Sequence, residues 1–155
     1  MDYPGGGMES TERRSITEEY VSPQLADIRQ CWDLIRPGIV EILSETPSLT
    51  FIPEDVYSEC VNERAFLFTS PVGFLVLTIE IDRFTKDKTL YMWLAYTYKK
   101  GGHQWFAHEK WMNNMAESFG CKYIEAQSAI PEMEAYAKKY GWALDTRTYK
   151  RKVNG

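Results

Sequence analysis

Three runs between Arg64 and Tyr98, "RAFLFTS", "GFLVLTIEID" and "TLYMWLAYTY", constrain the fold more than any other feature of this chain. Each is dense in β-branched and aromatic residues, which suit a pleated, half-buried surface. "SPVG" joins the first two and "DRFTKDK" joins the second to the third. Links that short hold neighbouring strands antiparallel, so the middle of the chain reads as a meander.

Helical signals flank it. Ser22-Pro23 reads as an N-cap followed by Pro at the first helical position, and Leu25, Ile28, Trp32 and Ile35 then follow helical spacing. Pro37-Gly38 is expected to interrupt that helix, with a second short one over Ile39–Ser44. "PEDVYSECVNE" opens with Pro53 and acidic residues, which favours a further helix. After the meander, Trp105, Glu109, Met112, Ala116 and Phe119 recur at helical spacing and Gly120 supplies a stop. "CKYIEAQ" reads as a buried strand, "PEMEAYAKKY" as a helix ending at Gly141, and "WALDTRTYKRKV" as a final strand. A strand, helix and strand in succession form a right-handed crossover, which places "TLYMWLAYTY" and "CKYIEAQ" parallel and close.

The chain has 155 residues, enough for one domain that buries roughly 70% of its unfolded surface. Residues 1–14 read as a flexible tail, with Met8 as a second candidate start, and 15–153 as a single domain. A hydrophobic share of 44% excludes disorder, and no apolar run reaches the length of a membrane span. The net charge of −4 argues against nucleic acid as a general partner, although Lys138, Lys139, Arg147, Lys150, Arg151 and Lys152 make the C-terminal segment locally basic. Cys31, Cys60 and Cys121 are odd in number and form no CxxC pair, which fits a reducing compartment.

Candidate chemistry gathers in "YKKGGHQWFAHEKW". A glycine-containing turn ahead of a helix aims unpaired amides at an anion, and Lys99 and Lys100 add positive charge. Gly101 and Gly102 equally suit a plain tight turn, and both readings stand. His103 and His108 are five apart, which does not match the HExxH zinc spacing, so no metal is expected. Cys121 with a His as base is a weaker nucleophile reading, because free Cys is usually buried and inert.

The order of elements, with "MWLAYTYKKGGHQWFAHEKWMNNMAESFGCKYIEA" and "AYAKKYGW" as the best local matches, resembles the GNAT acyl-CoA-dependent acetyltransferases over residues 15–153. The resemblance implies an α+β fold: a central mixed sheet, an antiparallel meander followed by a βαβ-type crossover, and flanking helices. Within that group the chain looks most like small divergent members encoded by bacteriophages. The resemblance implies acetyl-CoA or coenzyme A as cofactor and aligns its pyrophosphate loop with Lys100, Gly101, Gly102, His103, Gln104 and Trp105. Here Lys100 replaces Arg or Gln, and His103 and Trp105 occupy glycine positions. "TLYMWLAYTY" carries no carboxylate, and Ala137 stands where the family places its acidic tyrosine. Tyr136, Tyr140 and His103 are the remaining proton-handling candidates.

These departures favour a phage protein with weak or lost catalysis, acting in the host cytoplasm or in a virion through other phage proteins, with oligomerisation open. The alternative is an acetyl-CoA-dependent N-acetyltransferase acting on an amine. A nucleic-acid accessory role through the basic C-terminal segment is a third reading.

Overall fold

The computed structural model describes residues 21–99, 108–128 and 133–153. Strand β1 (Gln24–Leu25) leads into helix α1 (Ile28–Glu45) and helix α2 (Pro53–Val61). The meander follows as β2 (Phe66–Ser70), β3 (Gly73–Ile81) and β4 (Lys88–Thr97). Helix α3 (Glu109–Ser118), strand β5 (Cys121–Ala126) and helix α4 (Met133–Lys139) complete the described elements. The sheet order is β1-β2-β3-β4-β5, antiparallel throughout except for the parallel pair β4 and β5. The expected meander, crossover partners and mixed α+β sheet are therefore present.

The start of the chain departs from the sequence reading. Ser22-Pro23 does not open a helix; the next two residues pair with Thr69 and Phe68, and Ala26 N–H donates to Leu67 O at 2.9 Å. This ladder covers part of the outer edge of β2, which outweighs local helix signals. Helix α1 instead starts behind Asp27, whose Oδ1 accepts from Arg29 N–H at 3.0 Å. Replacing Asp27 by Ala should cost about 1 kcal/mol, read as a shifted urea midpoint with unchanged slope.

Pro37 does not interrupt α1 either. Its missing N–H removes one intrahelical bond, but the departure from helical dihedrals falls upstream at Cys31 (φ −120°, ψ 18°). The helix continues because the residues on both sides of Pro37 are held by the core: Ile35 and Ile39 are fully buried, and Gly38 lies against the sheet. A Cβ on Gly38 would stand 2.7 Å from the Phe74 ring and 2.9 Å from that of Tyr96.

Two cores sandwich the sheet. On one face Ile28, Ile35 and Ile39 of α1 and Val56 of α2 pack on Leu67, Phe74, Val76 and Leu94. On the other, Met112 and Ala116 of α3 pack on Phe68, Leu75, Leu77 and Leu90. Each such fully buried aliphatic or aromatic side chain stabilises the fold by about 1.5–3 kcal/mol. Gly120 (φ +72°) and Gly141 (φ +87°) end α3 and α4 in the left-handed conformation, as the sequence implied.

Two further expectations are corrected. Strand β5 is half-exposed rather than buried, because it closes the described sheet and only Cys121 and Ile124 join the α3-side core. Residues 143–153 form no strand: Leu144 and Tyr149 are 52% and 87% exposed, so this segment buries no face against the sheet. Alternation alone does not make a strand without a ladder to join.

Candidate functional site

Strand β4 is irregular where it matters. Leu77 pairs with Met92, and the next residue back, Val76, pairs with Leu94. Trp93 is thus an extra residue, a β-bulge in the middle of β4. The bulge changes which residues face which core. Before it, Leu90 and Met92 lie in the α3-side cluster; after it, Leu94 and Tyr96 lie in the cluster beneath α1 and α2, and Trp93 joins them.

Pairing of β4 with β5 stops at the same place, with Met92 opposite Ala126. Beyond it β4 continues through Thr97 on β3 alone. Strand β5 itself ends at Ala126, and the bulge, which bends a strand and increases its local twist, lies just beyond that pair. The backbone edge of residues 93–97, which begins at the Met92–Ala126 pair, therefore has no strand partner among the described residues.

Lys99 follows the end of β4, and α3 is the next described element. Lys100, Gly101, Gly102, His103, Gln104 and Trp105 lie outside the described residues. His108, immediately before α3, is buried, and that burial pushes its pKa down so that it is neutral at pH 7. Tyr140 is half-buried in the turn after α4, where its N–H donates to Ala137 O at 3.1 Å. The side chain of Tyr136 lies outside the described residues.

The structure adds polar groups that the sequence reading missed. Tyr96 Oη donates to Glu41 Oε1 at 2.8 Å. This hydrogen bond, then burial and the field of Glu41, raises the Tyr96 pKa and keeps the hydroxyl protonated. Gly38 and Glu41 are three apart on α1, so the glycine that lets the helix approach β4 also brings the carboxylate onto it. One residue before the Met92–Ala126 pair, register places Thr78 of β3, Tyr91 of β4 and Glu125 of β5 side by side on one face. Glu80, Thr89 and Tyr123 form the next row on that face. Carboxylates thus flank β4 although β4 itself has none. A search confined to one strand cannot find them.

The cysteines offer no nucleophile. Burial pushes the Cys60 thiol up to about 12 and raises Cys31 and Cys121 as well, so the thiolate is disfavoured at each. Native labelling with a thiol reagent at pH 7.5 should leave Cys60 the slowest of the three, with all three reacting alike after denaturation. An open depression of about 350 Å³ between α1 and α2, lined by Arg29, Trp32, Asp33, Glu54 and Tyr57, draws no lining residue from β4 or β5. Among the described residues no cluster of three or more metal-ligating side chains forms, and no helix is long and apolar enough to cross a membrane.

No family model and no curated protein matches the sequence. Solved structures do match. A probable acetyltransferase superposes with a TM-score of 0.65 at 13% identity, covering 85% of this chain and 97% of that one. A possible acetyltransferase from Clostridium difficile 630 gives 0.63 at 14%, with coverage of 85% and 97%. The ribosomal-protein-alanine N-acetyltransferase from Brucella melitensis biovar Abortus 2308 gives 0.63 at 13%, with coverage of 85% and 99%. Likeness at such low identity reports architecture, and together with the mixed five-stranded sheet and its bulged β4 it establishes that this chain has the fold of the GNAT acetyltransferases.

Proposed function

We propose that the chain binds an acyl-coenzyme A thioester along the open edge of β4 and transfers the acyl group to an amine. The observation that carries this reading is the Trp93 bulge at the point where the β4–β5 pairing ends. An exposed strand edge presents backbone N–H and C=O groups, and the amide-bearing pantetheine arm of coenzyme A can pair with them as an added strand does. The dimensions agree. Five residues from Trp93 to Thr97 span about 16 Å at roughly 3.3 Å each. That length carries an extended arm from a pyrophosphate near Lys99 to a thioester beside the Met92–Ala126 pair. Lys99 and the N-terminal end of α3 supply positive potential at the phosphate end.

Calorimetric titration with acetyl-CoA and coenzyme A tests the reading. Binding in the micromolar range, about −8 kcal/mol, is expected for the parent chain and should be lost in a Gly101→Val, Gly102→Val variant. A folded parent that binds neither ligand would overturn it. That outcome would favour the catalytically inactive interaction component that the missing motif residues suggest.

A further inference from the structure

We propose that two copies of this chain exchange their C-terminal arms, residues 143–153 of each adding as a further strand to the outer edge of β5 on the other. The inference stands apart from the acyl-thioester reading, because it uses the outer edge of β5 and not the edge of β4.

Two halves of a ladder stand open in the structure. Strand β4 pairs with one edge of Cys121–Ala126, and no strand among the described residues pairs with the other. An edge that presents unpaired N–H and C=O groups is a template for another strand. The arm is the complementary half. Residues 143–153 are all exposed and lie in no helix or strand, and among the described residues none of them makes a hydrogen bond or an ion pair.

The arm leaves from a fixed root. Gly141 turns the chain in the left-handed conformation, and Trp142 N–H donates to Ala137 O at 2.9 Å. The Trp142 ring packs on the α3-side core, which Cys121 and Ile124 of β5 also join. The arm therefore starts from the core that β5 helps to close, yet it forms no ladder with its own β5. Fully extended it spans about 36 Å at roughly 3.3 Å per residue, enough to cover the whole of β5 on a neighbouring molecule.

Side-chain chemistry selects a second copy as the occupant. Thr146, Thr148, Tyr149 and Val153 are strong strand formers. Arg147, Lys150, Arg151 and Lys152 against Asp145 make the arm basic, whereas the chain as a whole carries −4, so the arm is attracted to the body of another copy. With the odd-numbered arm residues on the face of Tyr123 and Glu125, Tyr149 covers the exposed Tyr123 ring and an arginine reaches Glu125. Once in place the arm becomes the edge strand, and its lysines and arginines repel a further one. Exchange in both directions then closes a two-fold dimer instead of an open chain.

Sedimentation of the full chain tests the exchange, with amide hydrogen exchange as the local readout. The parent should form a dimer that dissociates on dilution. In the dimer the arm amides and the outer-edge amides of β5 should exchange at least about 100-fold more slowly than in the monomer. A Thr146→Pro, Tyr149→Pro variant should raise the dimer dissociation constant at least about 100-fold. The two positions have opposite parity, so in either register one proline removes an N–H that faces β5. The urea midpoint of the variant monomer should match that of the parent monomer, since the arm makes no bond to its own body. Thr146→Val, which keeps the N–H, should dimerise as the parent does. A parent that stays monomeric at about 100 µM would overturn the proposal. So would a dimer that survives the two prolines, because it must use another surface. Arm amides protected in the monomer would overturn it as well, by placing the arm on its own β5.

Discussion

Deletion of Trp93 should leave the fold standing and abolish acyl-CoA binding. Met92 already faces α3 and Leu94 already faces α1 and α2, with Leu77 and Val76 as their respective partners. Removing the residue between them produces an uninterrupted antiparallel ladder in which every other side chain keeps its face. The local bend and extra twist go with the bulge, and β4 is then free to stay beside β5 past Met92. Stability should fall by about 2–4 kcal/mol, because the half-buried indole and its edge contact with Phe51 are lost. Acetyl-CoA affinity should fall at least about 100-fold, or roughly 2.7 kcal/mol, with the open edge closed. Trp93→Ala is the matched comparison: it forfeits the same packing but keeps the extra backbone residue, so its affinity should stay near parental. Calorimetry and chemical denaturation on the pair separate the indole from the bulge. Equal loss of binding in both variants would mean that the bulge is not what opens the groove.

Phe74→Ala should be among the most damaging single substitutions in the chain, at about 3–5 kcal/mol. Its ring is fully buried, stacks on Tyr96 at 5.3 Å, and meets α1 at Gly38. For a domain of this size the loss corresponds to a Tm lower by roughly 6–20 °C. The cavity opens between the helix and the strand, so it should also loosen the hydrogen bond from Tyr96 to Glu41. Gly38→Ala alone should cost about 1–3 kcal/mol, since its methyl group must displace two aromatic rings. In the Phe74→Ala background that methyl group enters vacated space. The double-mutant cycle should therefore show the two costs to be markedly less than additive. Full additivity would mean that the helix does not rest on the sheet at Gly38.

Strand and helix identities were legible where a local signal and the tertiary environment agree. The runs at Phe66, Gly73 and Lys88 became strands because their apolar residues fit both faces of a sheet covered on each side by helices. Gly120 and Gly141 ended helices because their positive φ is a backbone property that the residue type announces. The opening helix was placed too early because Ser22-Pro23 is a real local signal overridden by a partner 40-odd residues away. Pro37 misled in the same manner, its local penalty being outweighed by the burial of Ile35 and Ile39.

The candidate site divides along the same line. Composition and pattern alone determined an α+β chain with a meander and a crossover, because these depend on residues close together in sequence. Only the tertiary structure decided that β4 carries a bulge at Trp93, that its pairing with β5 ends just before it, and that Glu41, Glu80 and Glu125 stand around a strand with no carboxylate of its own. Register is a relation between strands, and "YMWLAY" reads as unbroken alternation until β3 shows which residue has no partner.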